Sequence, residues 1–155
     1  MDKAQAYTFV FTSINRELMK EFAAAMSELA RLLAGILAEN LGHQKGVFED
    51  ICDESTCFIR LNRYPACPIS PEMFGLVPHT DSDFLTILYQ DQVGGLQLMK
   101  DSKWVAVKPN QDALIVNIGD LFQVNFGFIF ISYFKICIIE KTVSTTKNTI
   151  IVVCS

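Results

Sequence analysis

Two residues in the stretch GLVPHTDSDFLTILYQ, residues 75–90, carry the chemistry to hold a metal ion: His79 and Asp81. An imidazole nitrogen and a carboxylate oxygen both suit a first-row divalent cation. If Pro78 closes the preceding loop and a strand begins at His79, then His79, Asp81 and Asp83 fall on one face, because side chains alternate along a strand. Two donors spaced in this way can take adjacent positions on one ion and leave the others open. Alone the pattern is a weak signal, since His-x-Asp arises often by chance. The chain has one other histidine, His43. It follows a candidate helix C-terminus, where a cation is favoured, and is expected to be a solvated cap and not a ligand.

The five cysteines, Cys52, Cys57, Cys67, Cys137 and Cys154, form no C-x-x-C pair. Free thiols in a reducing compartment are the expectation. The N-terminus MDKAQAYTFVFTS has an acid at position 2 and too short an apolar run for a signal peptide, so a cytoplasmic protein is expected. A net charge of −4 argues against nucleic acid as a partner, since that needs a basic stripe. Half of the residues are hydrophobic and 19% are charged, enough apolar material for a core in a chain of 155 residues. No apolar run reaches the ~20 residues of a membrane span.

The elements that must position His79 and Asp81 show in the periodicity. Residues 14–41 predict one long helix, with Leu18, Phe22, Ala25, Leu29, Leu32 and Ile36 making an apolar stripe at steps of four and three. Ser13 suits its N-cap, and Gly42 suits the left-handed position past its end. From residue 57 the period changes to two. CFIRLNRY puts Phe58, Arg60, Asn62 and Tyr64 on one face and Cys57, Ile59, Leu61 and Arg63 on the other. The loop PACPISPE follows, then strand candidates DFLTILYQ, GLQLM, KWVAVKP and ALIVNI, separated by turns at Gly94-Gly95, Lys100–Lys103 and Pro109-Asn110. Short strands at regular spacing behind a helix predict a mainly β sandwich or barrel.

Composition changes after Gln123. Residues 1–123 hold 14 leucines and 11 alanines, and residues 124–155 hold neither. The apolar stretch Phe126 to Ile139 is too short to span a membrane and reads as strand-forming or aggregation-prone. The expected division is therefore 1–56 as a helical segment packing on the core, 57–123 as the β-core, and 124–155 as an atypical tail, translated from a non-coding or misassigned region.

LNRYPACP followed by GLVPHTDSDFLTILYQDQVGGLQLMKDSKWVAVKPNQDALIVNIGDLFQ resembles the plant Fe(II)/2-oxoglutarate-dependent dioxygenases, and within them the gibberellin 2-oxidases. The motifs N-x-Y-P-x-C-P, P-H-T-D, G-G-L-Q, W-V-x-V-x-P and N-I-G-D occur in that family's order, from about Ile14 to Gln123. The resemblance implies a double-stranded β-helix, or jelly roll, with Fe(II) in its mouth. It implies His79 and Asp81 as iron ligands, Tyr64 and Asn62 where the family contacts 2-oxoglutarate, and Asp83 as a neighbour of the site. Gly94, Gly95 and Trp104 would be turn glycines and a core indole. The implied reaction is hydroxylation of a small molecule, a gibberellin, with 2-oxoglutarate as co-substrate and ascorbate as reductant.

The same resemblance implies a third histidine ligand and an R-x-S pair after Asp81. No histidine follows Asp81 and no arginine follows Arg63. The jelly roll is accordingly expected to be incomplete, with open sheet edges, and the chain to be a weakly active or inactive truncated enzyme. Two other readings stand beside it: a non-catalytic partner that pairs with full-length homologues through open β edges, and a truncated product without function.

Overall fold

The computed structural model of the chain describes residues 13–52, 55–66, 74–125, 138–141 and 147–154. A long helix α1 (Ser13–Asn40) and a 3-10 turn (Lys45–Cys52) precede eight strands. These are β1 (Cys57–Tyr64), β2 (Phe74–His79), β3 (Leu85–Gln90), β4 (Leu96–Lys100), β5 (Lys103–Ala106), β6 (Ile115–Ile118), β7 (Ile138–Lys141) and β8 (Lys147–Cys154), with a short helix α2 (Asp120–Asn125) after β6. The strands form two four-stranded sheets, ordered β1-β8-β3-β6 and β2-β7-β4-β5. Eight strands shared between two facing antiparallel sheets make a jelly roll. No described helix is long and apolar enough to cross a membrane.

The strand complement is fuller than the sequence suggested. β7 and β8 come from residues 124–155, the expected atypical tail, and each lies inside a sheet. β8 pairs with β1 from Cys57↔Cys154 to Tyr64↔Lys147 and with β3 from Leu85↔Cys154 to Gln90↔Thr149. Gln123 therefore marks a change of composition and not the edge of the β structure. The Ile, Val and Thr that fill β8 in place of Leu and Ala are what a pleated surface prefers. The proline-rich loop, most of the stretch 126–139, and Cys67 and Cys137 lie outside the described residues.

α1 ends where expected. Gly42 adopts φ 79°, with Gly42 N–H donating to Glu39 and His43 N–H to Ala38 (3.0 and 2.9 Å). That is a Schellman ending, which needs a left-handed residue after the last turn. His43 is exposed beyond it. The phase of the helix differs from the expected stripe. Of the expected stripe Phe22 and Leu29 pack on the core, but Ala30, Ala34 and Ala38 are the fully buried residues, with Met26, Leu33 and Leu37 beside them, whereas Leu18, Leu32 and Ile36 face outward, 62%, 50% and 43% exposed. Small side chains let the helix approach the sheet and the 3-10 turn closely, and close packing outweighs the apolar area of the larger residues.

Two cores result. Between α1, the 3-10 turn and the outer face of the β1-β8-β3-β6 sheet lie the alanines, Leu85, Ile87 and Cys154, with Phe48, Phe84 and Phe122 in mutual ring contact at 5.0 to 5.9 Å. Between the sheets lie Leu88, Leu96, Ile151 and Val153. β3 serves both by alternation, so it is apolar almost throughout. The expected faces of β1 are observed: Cys57 and Ile59 pack on the helix side, and Phe58 and Arg60 face a cleft between the sheets. Trp104 is half-buried on the edge strand β5, more exposed than a core indole.

The cysteines also differ from expectation. Cys57 and Cys154 form a disulfide between directly paired residues of β1 and β8, 97 residues apart in sequence. Cys52 is a free, buried thiol. Burial pushes it up to about 11, against a smaller opposing effect of the Arg31 charge, which makes it a poor nucleophile at neutral pH.

Candidate metal site

The strand expected to begin at His79 ends there. His79 is the last residue of β2, an edge strand with two register irregularities, which is where a sheet accommodates Pro78. Thr80 to Asp83 form a loop, so His79, Asp81 and Asp83 are not aligned by strand alternation. They are brought into one cleft of about 170 Å³ by the turn between β2 and β3.

That turn is held from β6 and α2. Asp120 N–H donates to the Asp81 carbonyl (2.8 Å), Gly119 N–H to Phe84 (3.0 Å), and Leu121 N–H to Asp83 (3.3 Å). Thr80 Oγ1 donates to Asp120 Oδ2 at 2.7 Å. The N-I-G-D segment presses so closely on the loop that a Cβ at Gly119 would collide with the Asp83 carbonyl oxygen, so only glycine fits there. Asn117, 1% exposed, reaches down from β6 and donates Nδ2–H to Asp81 Oδ2 at 3.3 Å. Four positioning residues, Thr80, Asn117, Gly119 and Asp120, were thus not assigned from sequence. The signal for Asn117, Gly119 and Asp120 was the N-I-G-D motif and for Thr80 the P-H-T-D motif, whose roles depend on contacts about 36 to 40 residues away in the chain.

His79 Nδ1 lies 2.9 Å from the Val77 carbonyl oxygen. A carbonyl only accepts, so Nδ1 is the protonated nitrogen and Nε2 is the outward one. Nε2 sits 3.6 Å from Asp81 Oδ1. Two donors bound at ~2.1 Å in neighbouring positions of one ion lie about 3 Å apart. The observed separation is within a small side-chain rotation of that. A backbone acceptor on Nδ1 and a buried amide on the far carboxylate oxygen are the usual second layer around a metal ligand. His79 and Asp81 therefore fit an ion as a half-site. Among the described residues no group of three His, Cys, Asp or Glu side chains could hold one.

The expected 2-oxoglutarate contacts are placed differently. Asn62 and Tyr64 are outside the cleft lining. Tyr64 packs its ring against Gly75 of β2, and Asn62 meets the cleft through Arg60, whose Nε donates to Asn62 Oδ1 at 3.1 Å. Asp83 lines the cleft as a neighbour of the pair.

Comparison with known proteins places these residues in context. The sequence model of the 2OG-Fe(II) oxygenase superfamily matches residues 55–149, so the match continues into the part with distinct composition. The chain is 58% identical over 113 residues to gibberellin 2-beta-dioxygenase 8 of Arabidopsis thaliana, covering 73% of this chain and 33% of that protein. To gibberellin 2-beta-dioxygenase 6 of Oryza sativa subsp. japonica it is 63% identical over 115 residues, covering 70% and 32%. Among solved structures, JOX2 in complex with 2OG, Fe and JA matches with a TM-score of 0.80 at 32% identity, covering 92% of this chain and 43% of that one. The chain spans about a third of the length of the curated relatives it matches.

Proposed function

The chain belongs to the 2OG-Fe(II) oxygenase superfamily, and on that premise we propose that the cleft at His79 and Asp81 is the Fe(II) and 2-oxoglutarate site of a dioxygenase hydroxylating a small molecule, a gibberellin. Gibberellin dioxygenases from two plants are its relatives at 58% and 63% identity, which supports the substrate class. Ascorbate as reductant follows from the family resemblance.

The observation that carries the reading is the pair itself. His79 Nε2 and Asp81 Oδ1 converge at 3.6 Å, the imidazole tautomer is fixed by Val77, and the second carboxylate oxygen is held by Asn117. These two side chains would hold the iron. Bound Fe(II) with 2-oxoglutarate and dioxygen supplies the oxidising power: a substrate C–H becomes C–OH while 2-oxoglutarate becomes succinate and carbon dioxide. The protein's part is positional. The Asp120 and Gly119 N–H groups fix the loop backbone, so the carboxylate meets its ion without reorganising. Leu76, Leu88, Ile151 and Val153 give the cleft apolar walls that exclude water from the reacting centre.

A second reading, a non-catalytic binding module, draws on the donor count. Two protein ligands hold iron more weakly and less rigidly than three. An anaerobic Fe(II) titration with 2-oxoglutarate separates the two. A saturable visible charge-transfer band, lost in His79→Ala, is the expected result. A folded chain that gives no band leaves the binding-module reading in its place.

A further inference from the structure

The inner face of the β1-β8-β3-β6 sheet carries an unusual concentration of unused polar atoms. Among the described residues four buried side-chain atoms have no hydrogen-bond partner: Asn62 Nδ2, Thr86 Oγ1, and both Nε2 and Oε1 of Gln90. Buried polar groups are paired in the great majority of cases, and each exception needs a cause. All four of these lie on one face. Phe58 and Arg60 of β1 line the cleft, and Asn62 follows at the next alternate position; Thr86 and Leu88 of β3 line it, and Gln90 follows. The register is continuous across β8, with Arg60↔Ile151↔Leu88 and Asn62↔Thr149↔Gln90. β1 and β3 are thus two strand spacings apart, about 10 Å, a gap that a long side chain or an elongated ligand bridges.

Charge singles out one residue in this set. Arg60 is the one lysine or arginine among the described residues lining the cleft, which otherwise holds the acidic Asp81 and Asp83 and the imidazole of His79. Its Nε–H is spent on Asn62 Oδ1, an arrangement that fixes the plane of the guanidinium. Among the described residues it pairs with no carboxylate, although Asp81 and Asp83 line the same cleft. Its remaining N–H groups, Asn62 Nδ2 and the Thr86 hydroxyl all donate. A ligand group that only accepts, has two oxygens and is charged negative satisfies such a set, and a carboxylate is that group.

We infer that Arg60, assisted by Thr86, is the carboxylate anchor of this cleft. The inference rests on the oxygenase reading and deepens it. The carboxylate has two possible sources with the same chemistry, the distal end of 2-oxoglutarate and an acid group of the substrate. Arg60 takes this role from β1, and no arginine follows Arg63 in the chain to share it.

Calorimetric titration of the full chain with Mn(II) present tests this. The ligands are 2-oxoglutarate, 2-oxobutyrate (the same keto-acid head without the distal carboxylate), gibberellic acid and its methyl ester. Arg60→Gln is expected to weaken one of the two acids by about tenfold or more, with Arg60→Lys recovering part of the loss. A loss for 2-oxoglutarate that spares 2-oxobutyrate assigns the carboxylate to the co-substrate. A loss for gibberellic acid that spares the ester assigns it to the substrate. Thr86→Val, which keeps the shape, is expected to hold the melting temperature and lower the same affinity by less. Arg60→Gln affinities equal to wild type, an equal loss for each acid and its carboxylate-free counterpart, or a wild-type chain that binds neither acid each overturn the inference. Mn(II) binding by electron paramagnetic resonance, with His79→Ala as control, reports separately on the oxygenase reading. Arg60-dependent acid binding without His79-dependent metal binding would sink that reading and leave the anchor standing.

Discussion

Asp81 is held at three points that do not touch Oδ1, the oxygen that faces His79: its carbonyl by the Asp120 N–H, its Oδ2 by Asn117, and its loop by Gly119. Each is a separate physical device, and they predict different failures. Asn117→Ala removes the buried donor and leaves Oδ2 unpaired, which costs about 1–3 kcal/mol of stability and, as a lost outer-layer contact, about 10- to 100-fold in metal affinity. Denaturant unfolding and Mn(II) titration measure the two effects. An affinity that falls by less than twofold would mean that the carboxylate is oriented without Asn117. At this scale the sequence was readable for residue types and not for their company. His79 and Asp81 stood out by chemistry; Asn117 could not, because an asparagine in an apolar strand shows its partner only when the strand pairing is known.

Elements were legible wherever a local rule decided them. Gly42 ended α1, and period two separated the Cys57 face of β1 from the Phe58 face. The phase of α1 was not local. Leu18, Leu32 and Ile36 extend the apolar signal of Phe22 and Leu29, but the surface beneath the helix selects alanines at 30, 34 and 38 in their place. Ala34→Leu is therefore expected to destabilise by about 1–3 kcal/mol through overpacking, and Leu32→Lys to stay within about 0.5 kcal/mol of wild type. Urea midpoints for the two variants check this, and the reverse order would restore the leucine stripe as the buried face. β7 offers a second test. Its Ile138 is the register partner of His79, and isoleucine has no atom that ligates a metal. Ile138→His places a second imidazole opposite His79 in the register. A gain in Mn(II) affinity of about tenfold or more is expected, within the range that one added charge-assisted contact supplies. No gain would mean that the β2–β7 register does not aim residue 138 at the ion.

For the molecule as a whole, the jelly roll was foreseen and the place of the tail inside it was not. The leucine-free tail read as foreign because composition was compared along the chain, whereas a sheet asks only that a strand be β-branched and alternate. β8 meets that demand between β1 and β3, and the Cys57–Cys154 disulfide fastens it to β1. Closing a loop of 97 residues contributes about 4–5 kcal/mol in the chain-entropy account. Cys154→Ser, or the wild-type chain under dithiothreitol, is expected to melt about 10–15 °C lower. Equal melting curves with and without reductant would mean that the bond is not formed in solution, as free thiols in a reducing compartment require.

The insertion of β8 also sets a schedule for the newborn chain. β1 and β3 meet only through β8, the last of the eight strands to leave the ribosome. At ~10 residues per second, β1 waits on the order of ten seconds for its neighbour. Until then its outer face has the helix beside it, but its edge has no ladder to join. A ribosome that stalls anywhere before Lys147 releases a chain with the larger sheet split in two, however much of the sequence has been made. Such fragments are clients for chaperones and proteases, because the β1-β8-β3-β6 sheet can close only once Lys147–Cys154 has been made.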